Sequence, residues 1–283
     1  MPETLRADVR ADGYRAAAVG AAAYALCDTL HELGHLAATL LPLRVSVLSI
    51  SSVGVSTTAS SPVVALAGPL VNLLLAGALA LARPAVLAAN WRYVAWLFGS
   101  VNLFNGIAYL LYSALLGSGD WATVFDWLSP SMPWRPAVGV AGIALYAGAI
   151  FASLGVLRVL ISEAVLSRGQ ASRYCLAAYW AGGLLLAAAS VLNPISPWLI
   201  LTSGVATGFG AMVGLVLTSA LLKGNHREPL RPAAAAVHFG PAWVLSSSLV
   251  SLAFILVLGR GLQLAQGSAP AAKAKASSTS AER

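Results

Sequence analysis

The sequence predicts an all-α, multi-pass membrane protein, and three observations support this fold class. Of the 283 residues, 58% are hydrophobic and only 10% are charged, with a mean hydropathy of +0.79. A soluble globular domain carries roughly 25% charged residues, so a chain of this composition could not cover its surface with polar groups. Several apolar runs also reach the roughly 20 residues needed to cross the hydrocarbon core of a bilayer.

Seven runs are long enough to be membrane spans, and the one at 174–192 is the weakest because it is short and rich in alanine and glycine. The seven are residues 16–41, 62–82, 93–117, 137–157, 174–192, 198–222 and 241–259. Residues 1–15 are expected to form a cytoplasmic leader, and the small, polar residues 263–283 a disordered tail. The first run carries ionisable side chains where a signal peptide would be cleaved, so we expect it to be retained.

The basic residues are distributed as orientation signals rather than as a nucleic-acid surface. The net charge is +7, and eleven of the seventeen Lys and Arg residues lie on the amino-terminal side of the predicted spans. The positive-inside rule then places the amino terminus in the cytoplasm and, after seven spans, the carboxyl terminus outside. We therefore expect no nucleic-acid partner.

The first run contains the pentapeptide HELGH, in which His31, Glu32 and His35 fit the pattern H-E-x-x-H. Residues four apart on a helix share one face, about 6 Å apart, so both imidazoles can reach one ion. Three ionisable side chains at bilayer depth, at about 2.5–3.5 kcal/mol each, call for a compensating partner, and a metal ion supplies one. The pattern predicts a zinc site in which Glu32 takes the proton of an activated water.

Asp120 is the expected third metal ligand, since a catalytic zinc ion takes three protein ligands. This aspartate follows the third span and therefore lies at the same membrane depth as the two histidines of the first span. Gly117 and Gly119 precede it and allow the helix to end and the backbone to turn.

Three other side chains are either alternative metal ligands or possible hydrogen-bond partners of a ligand. Asp126 lies six residues beyond Asp120, where a solvated interfacial carboxylate is the simpler expectation. Cys27 lies one turn before the first histidine, but three consecutive turns of one helix do not easily surround a tetrahedral ion. Asp28 is placed to accept the second ring hydrogen of His31, or to pair elsewhere.

Polar side chains on the second and third runs are expected to face the site. Gly68 and Pro69 can kink the second span at the depth of the histidines. Asn72 then points inward, where it binds a substrate strand or an oxyanion, or joins two helices. The third run carries four polar residues on one helical face, Asn102, Asn105, Tyr109 and Tyr112. This face either holds helices together or contacts substrate, and we expect Asn102 and Asn105 to do the latter.

These motifs together resemble the site-2 protease family of zinc intramembrane metalloproteases. The matching segments are HELGH at 31–35, AGPLVN at 67–72 and, more loosely, NLFN and GSGDW between 102 and 121. The resemblance implies a metalloprotease-like membrane core over residues 16–127, followed by additional membrane helices over 128–262.

The same resemblance implies roles for individual residues. It implies that His31, His35 and Asp120 bind zinc, that Glu32 is the catalytic base and that Asn72 assists substrate binding. It also implies strands between the first two core helices that can pair with an extended substrate by edge addition. Residues 44–58, with alternating β-branched side chains, predict such a β-like insertion, and a polar connecting loop is the alternative.

The expected function is that of a zinc endopeptidase which hydrolyses a peptide bond in or near a transmembrane segment. Its partners would be the lipid bilayer and a membrane-protein or membrane-proximal peptide substrate, and its expected location is a bacterial cytoplasmic membrane. The alternative is a catalytically inactive regulator on the same core, or a metal transporter. Iron or cobalt could occupy the same ligands.

Overall fold

The computed structural model describes residues 3–82, 87–128, 134–193, 200–223 and 237–264. The α-helices are α1 (Glu3–Ala38), α2 (Pro62–Leu81), α3 (Ala89–Leu116), α4 (Asp120–Leu128), α5 (Trp134–Ser162), α6 (Arg168–Val191), α7 (Val213–Lys223) and α8 (Pro241–Phe254). Two π-helical segments adjoin the last two helices, π1 (Ile200–Ala211) and π2 (Ile255–Gly259). The strands are β1 (Val47–Ser51), β2 (Gly54–Thr57) and β3 (Leu262–Gln263).

Six helices within these ranges are long and apolar enough to cross a membrane. They are Pro62–Leu81, Ala89–Leu116, Trp134–Ser162, Arg168–Val191, Gly204–Leu222 and Pro241–Gly259. The predicted class, a largely helical membrane protein with a small sheet, is thereby confirmed. The expected first span at 16–41 is not among the six, because the ionisable side chains between Asp28 and His35 lower the hydropathy of α1. A count of seven spans therefore stays a prediction.

The amino-terminal leader expected at residues 1–15 is helical from Glu3 and continues without a break into the rest of α1. Two residues near the end of this segment contact α6 and the residues just before α8. Asp12 accepts a hydrogen bond of 2.5 Å from the hydroxyl of Tyr174, and Arg15 lies 3.0 Å from the ring of His238. These contacts tie Asp12 and Arg15 to the bundle, and the cytoplasmic location of the leader stays a prediction.

The predicted β-like insertion between the first two core helices is confirmed. Strands β1 and β2 form an antiparallel hairpin that turns at Gly54, whose φ of +143° favours glycine. Strand β3 pairs with the other edge of β1, so the strand order is β2-β1-β3, and the outer edge of β2 is unpaired within the described ranges. Gln263, expected to begin the disordered tail, is part of this sheet, whereas residues 265–283 lie outside the described ranges.

Helix α1 lies at the centre of the bundle and packs closely against its neighbours through glycine. A Cβ atom on Gly20 would lie 2.4 Å from the Cα atom of Ala178 in α6. A Cβ atom on Gly34 would lie 2.9 Å from the carbonyl oxygen of Ala67 in α2. Small residues at such contacts let two backbones approach. The HELGH segment is therefore pressed against the first half of α2.

Candidate metal centre

The side chains of His31, Glu32 and His35 are buried where α1 crosses α2, with exposed fractions of 1%, 3% and 6%. Their ligand atoms lie within 4.8 Å of one another, so this group could hold a metal ion. Gly68 makes the space for them. A Cβ atom at this position would lie 2.4 Å from Nε2 of His35 and 2.8 Å from Nε2 of His31. Any other residue at position 68 would occupy the space between the two imidazoles.

The ring of His35 is oriented by the main chain of α2. Its Nδ1 atom lies 2.7 Å from the carbonyl oxygen of Val64. A carbonyl oxygen can only accept, so Nδ1 carries the proton and donates it. In the neutral imidazole, Nε2 is then left with a free lone pair.

The ring of His31 is oriented by side-chain amides of α2 and α3. Its Nδ1 atom lies 2.7 Å from Oδ1 of Asn72. The amide orientation follows from a backbone anchor, because Asn102 donates from Nδ2 to the carbonyl of Phe98 at 2.8 Å. Asn102 thus presents Oδ1 to the Nδ2 of Asn72, at 2.8 Å, and Asn72 presents Oδ1 to His31. His31 therefore donates from Nδ1, and its Nε2 lone pair is also free.

The turn after α3 places Asp120 next to the Nε2 atoms of the two histidines. Gly117 ends α3 in the left-handed region with φ of +66°, and Gly119 follows with φ of +93°, as expected of glycines that let a helix end. Helix α4 then begins at Asp120. The Oδ2 atom of this residue lies 3.2 Å from Nε2 of His31 and 3.6 Å from Nε2 of His35. The two histidine Nε2 atoms are 3.1 Å apart.

These three separations fit a tetrahedral ion. Donor atoms that each lie about 2.0–2.1 Å from a tetrahedral zinc ion are about 3.4 Å from one another. The observed separations of 3.1, 3.2 and 3.6 Å lie close to that value. The arrangement thus leaves a point at bonding distance from all three atoms, and one side of that point remains open.

The electrostatics of the three atoms also call for a cation. Two imidazole lone pairs and one carboxylate oxygen converge, and Oδ2 of Asp120 has no hydrogen-bond donor from the described residues. A carboxylate and two lone pairs in contact repel one another unless a positive charge lies between them.

Glu32 lies beside this centre at the wall of a cavity of about 430 Å³. Its Oε2 atom is buried and has no hydrogen-bond partner among the described residues. The cavity is bounded by α1, β2, the start of α2, the end of α3, α4 and π1. A carboxylate in this position can reach a small molecule bound next to the three converging atoms.

The alternatives for the metal ligand lie elsewhere. Asp126 is exposed and accepts a hydrogen bond of 2.8 Å from Trp134. The sulfur of Cys27 contacts the amide of Asn72 at 3.3 Å. Asp28 does not accept the ring hydrogen of His31, because that hydrogen goes to Asn72. The prediction that Asp28 accepts it is wrong.

The three asparagines expected to bind substrate lie behind His31 rather than at the cavity. Asn72 and Asn102 have no exposed surface, and Asn105 donates to Oδ1 of Asn72 at 3.2 Å. Their contacts are those of side chains that orient a ligand, and a direct substrate contact stays a prediction.

Sequence reasoning placed Tyr109 on the helical face toward the site without specifying its contact, and it missed the roles of Val64 and Thr207. The carbonyl of Val64 orients His35, Tyr109 stacks on His31 with ring centroids 4.8 Å apart, and Thr207 of π1 lines the cavity. The spacing of Tyr109 from Asn105 on one helical face was the available signal for the second of these. A backbone carbonyl and a threonine in a distant span carry no such signal.

No family model, curated protein or solved structure matched the chain in three comparisons with known proteins.

Proposed function

We propose that the protein is a zinc endopeptidase of the membrane, which hydrolyses a peptide bond in or near a transmembrane segment. The observation that carries the proposal is the convergence of Nε2 of His31, Nε2 of His35 and Oδ2 of Asp120 beside the unpartnered carboxylate of Glu32. All four side chains line one cavity of about 430 Å³. The proposal keeps the bacterial cytoplasmic membrane as the expected location.

Zinc is the ion that this donor set favours. Two neutral imidazoles and one carboxylate, with one position left for water, are the ligands of many catalytic zinc sites. Iron and cobalt accept similar ligands, so metal analysis of the purified protein decides the ion. In this proposal the asparagine network acts on the metal through the orientation of His31.

The chemistry is divided between the ion and Glu32. Zinc, when bound, supplies the positive charge that activates a water molecule and polarises the scissile carbonyl. Glu32 takes a proton from the attacking water and passes it to the leaving amine. Its burial next to the centre keeps it within reach of both groups.

The substrate proposed for this site is an extended peptide from a membrane protein or from its membrane-proximal region. Strand β2 lines the cavity with Gly54, Val55 and Thr57, and Val53 of the preceding turn also lines it. The outer edge of β2 pairs with no other strand among the described residues. A peptide in extended conformation can pair with such an edge. A transmembrane helix would have to unwind locally first, because its carbonyl groups are shielded by its own hydrogen bonds.

The variant Glu32→Gln tests the proposed reaction. The protein would be reconstituted in liposomes with a library of transmembrane peptides that carry a fluorophore and a quencher. We expect the cleavage rate to fall by about 10²–10⁴-fold, because the general base is lost. Zinc content, measured by mass spectrometry, should be unchanged. The matched control Asp126→Asn, an exposed carboxylate outside the cavity, should cleave like the unaltered protein. Unchanged cleavage by Glu32→Gln with zinc still bound would refute the proposal.

The rival functions predict different results. A metal transporter should offer further ligand groups along its spans, yet in the described part of the chain no second such cluster lies apart from the centre that contains His31, Glu32 and His35. Zinc uptake into proteoliposomes that requires His31 and His35 would favour transport. Zinc binding without any peptide cleavage would favour an inactive regulator.

A further inference from the structure

A second cavity lies between α2, α3 and α5, away from the metal centre. Its volume is about 490 Å³, and none of the residues that line it lines the cavity at Glu32. Small residues form much of its wall: Ala76, Gly77 and Ala80 of α2, Ala95 and Gly99 of α3, and Ala152 of α5. A Cβ atom at Gly77 would meet no atom within 4 Å, so the space in front of this residue is open. We name this cavity the α2–α3–α5 groove.

One end of the groove lies where three candidate membrane spans begin or end, which we take as the membrane boundary. Arg92, in the first turn of α3, forms an ion pair with Glu163, which directly follows the end of α5 at Ser162. Helix α2 ends nearby, at Leu81. The carboxylate of Glu163 is still 45% exposed, so the pair can bind a further charged group.

The groove is about as deep as one leaflet of a bilayer. From Arg92 to Leu103, its deepest lining residue on α3, the helix rises roughly 16 Å at 1.5 Å per residue. Half of a hydrocarbon core is about 15 Å thick. A single extended alkyl chain that starts at the boundary would therefore end near the floor of the groove.

The polar groups in the wall are already paired with one another. The indole nitrogen of Trp96 donates to the carbonyl of Ser153 at 2.9 Å. The hydroxyls of Ser100 and Ser153 are 2.7 Å apart. The deep part of the groove thus presents apolar surface and no unmet hydrogen-bonding group, which suits a hydrocarbon chain.

We propose that the α2–α3–α5 groove binds a phospholipid with a primary-amine headgroup. One acyl chain fills the groove, the phosphate binds Arg92, and the ammonium group binds Glu163. A pair of opposite charges at the mouth matches a headgroup that carries both signs, whereas an anionic headgroup without an amine would meet the repulsion of Glu163. The depth of a single leaflet favours a lipid over a helix from another protein, which would lie across the whole membrane.

Filling the groove tests the site for the acyl chain. The full-length protein would be stripped of lipid in detergent, and binding of dioleoyl-phosphatidylethanolamine would be measured by native mass spectrometry. The variants Gly77→Leu and Gly99→Leu should weaken binding by about tenfold or more, since two lost methylene contacts are worth that factor. Gly148→Leu on α5 is the control, because a Cβ atom there also meets nothing within 4 Å but does not line the groove. Equal binding by the filled and control variants overturns the proposal.

Variants of Arg92 and Glu163 test the headgroup site at the mouth of the α2–α3–α5 groove. The unaltered protein should bind phosphatidylethanolamine more tightly than phosphatidylglycerol, and Glu163→Gln should remove this preference while Arg92→Gln weakens both lipids. Equal binding of the two lipids by the unaltered protein overturns the assignment of the headgroup.

A fluorescence measurement leaves the groove unfilled and needs only one conservative variant, Trp96→Phe. Phosphatidylethanolamine with brominated acyl chains should quench the fluorescence of Trp96, isolated by subtraction of the Trp96→Phe signal. Absence of that quenching contradicts the proposal. A loss of self-association in Gly77→Leu, with lipid binding intact, would instead identify a helix-docking surface.

Discussion

The two histidines of the candidate metal centre are oriented by partners of different kinds. His35 donates to a main-chain carbonyl, and His31 donates to a side-chain amide held by a second amide. Both arrangements leave the Nε2 lone pair free for the ion. A side-chain substitution can therefore remove the hydrogen-bond acceptor of His31 but not that of His35.

Asn72 should control metal affinity through His31. The variant Asn72→Leu removes the acceptor of the ring hydrogen, and we expect zinc affinity to fall by about 10–100-fold. Asn72→Asp keeps an oxygen acceptor at this position and should retain more zinc than Asn72→Leu. Competition with a chromophoric chelator measures both values. Equal zinc affinity in the two variants would show that the hydrogen bond from His31 does not matter.

Asp120 and Asp126 provide a matched test of the third ligand. Both are aspartates of α4, but only Asp120 reaches the histidines, whereas Asp126 binds Trp134. We expect Asp120→Asn to lose most of the bound zinc, since the amide is a weaker ligand than the carboxylate. Asp126→Asn should keep its zinc. Full zinc content in Asp120→Asn, measured by mass spectrometry, would remove this residue from the ligand set.

The positions of single residues could be predicted where they depend on spacing within one helix. The spacing in HELGH places both imidazoles on one face of α1 whatever surrounds it, and the structure has them there. Asp28 was misjudged because its position three residues before His31 says nothing about the other face of the ring. That face meets Asn72, which comes from another helix at a rotation that only packing determines.

The crossing of α1 and α2 is the element-scale feature on which the centre depends. Gly34 of α1 faces the backbone of α2, and Gly68 of α2 faces the imidazoles of α1. Each glycine removes a side chain from the contact, so the helices come close enough for the carbonyl of Val64 to reach His35.

Gly68→Ala should abolish metal binding. The added methyl group would lie 2.4 Å from Nε2 of His35, in the space between the ligands, and neither ring can move without loss of its hydrogen bond. Gly77→Ala, on the same helix with nothing within 4 Å of the new atom, is the control for the effect of alanine on α2. Zinc content after purification in both variants measures the effect. A zinc-loaded Gly68→Ala protein would contradict the geometry.

Elements were predictable where the chain has strong local patterns. The alternation of β-branched residues in 44–58 predicted the hairpin of β1 and β2, and the glycines before Asp120 predicted the end of α3. The sequence did not predict π1 at the cavity. Thr207 reaches the site only because the span at 198–222 packs against α3, a contact between distant segments that local patterns do not encode.

For the molecule as a whole, a bound ion would join elements that are far apart in the chain. His31 and His35 belong to α1 and Asp120 to α4, so the ion would close a loop that includes the sheet, α2 and α3. A ligand that binds the folded state alone stabilises it in proportion to RT ln(1 + [L]/Kd).

Removal of the metal should therefore lower the thermal stability of the protein. At a free zinc concentration of about 100 times Kd the expected stabilisation is about 2.7 kcal/mol. Scanning fluorimetry in detergent, with a chelator and then with zinc restored, measures the shift of the unfolding temperature. The double variant His31→Ala/His35→Ala should show no response to zinc. A zinc-dependent shift in that variant would mean that the stabilising ion binds elsewhere.

The group that orients His35 is the peptide oxygen of residue 64, and this limits which mutations can alter the site. Replacement of the valine side chain cannot delete that oxygen, so no point mutation at codon 64 removes the acceptor itself. The corresponding acceptor for His31 can be deleted by a single change at codon 72. Point mutations can thus remove the acceptor of His31 directly, whereas the orientation of His35 depends on the path of the backbone.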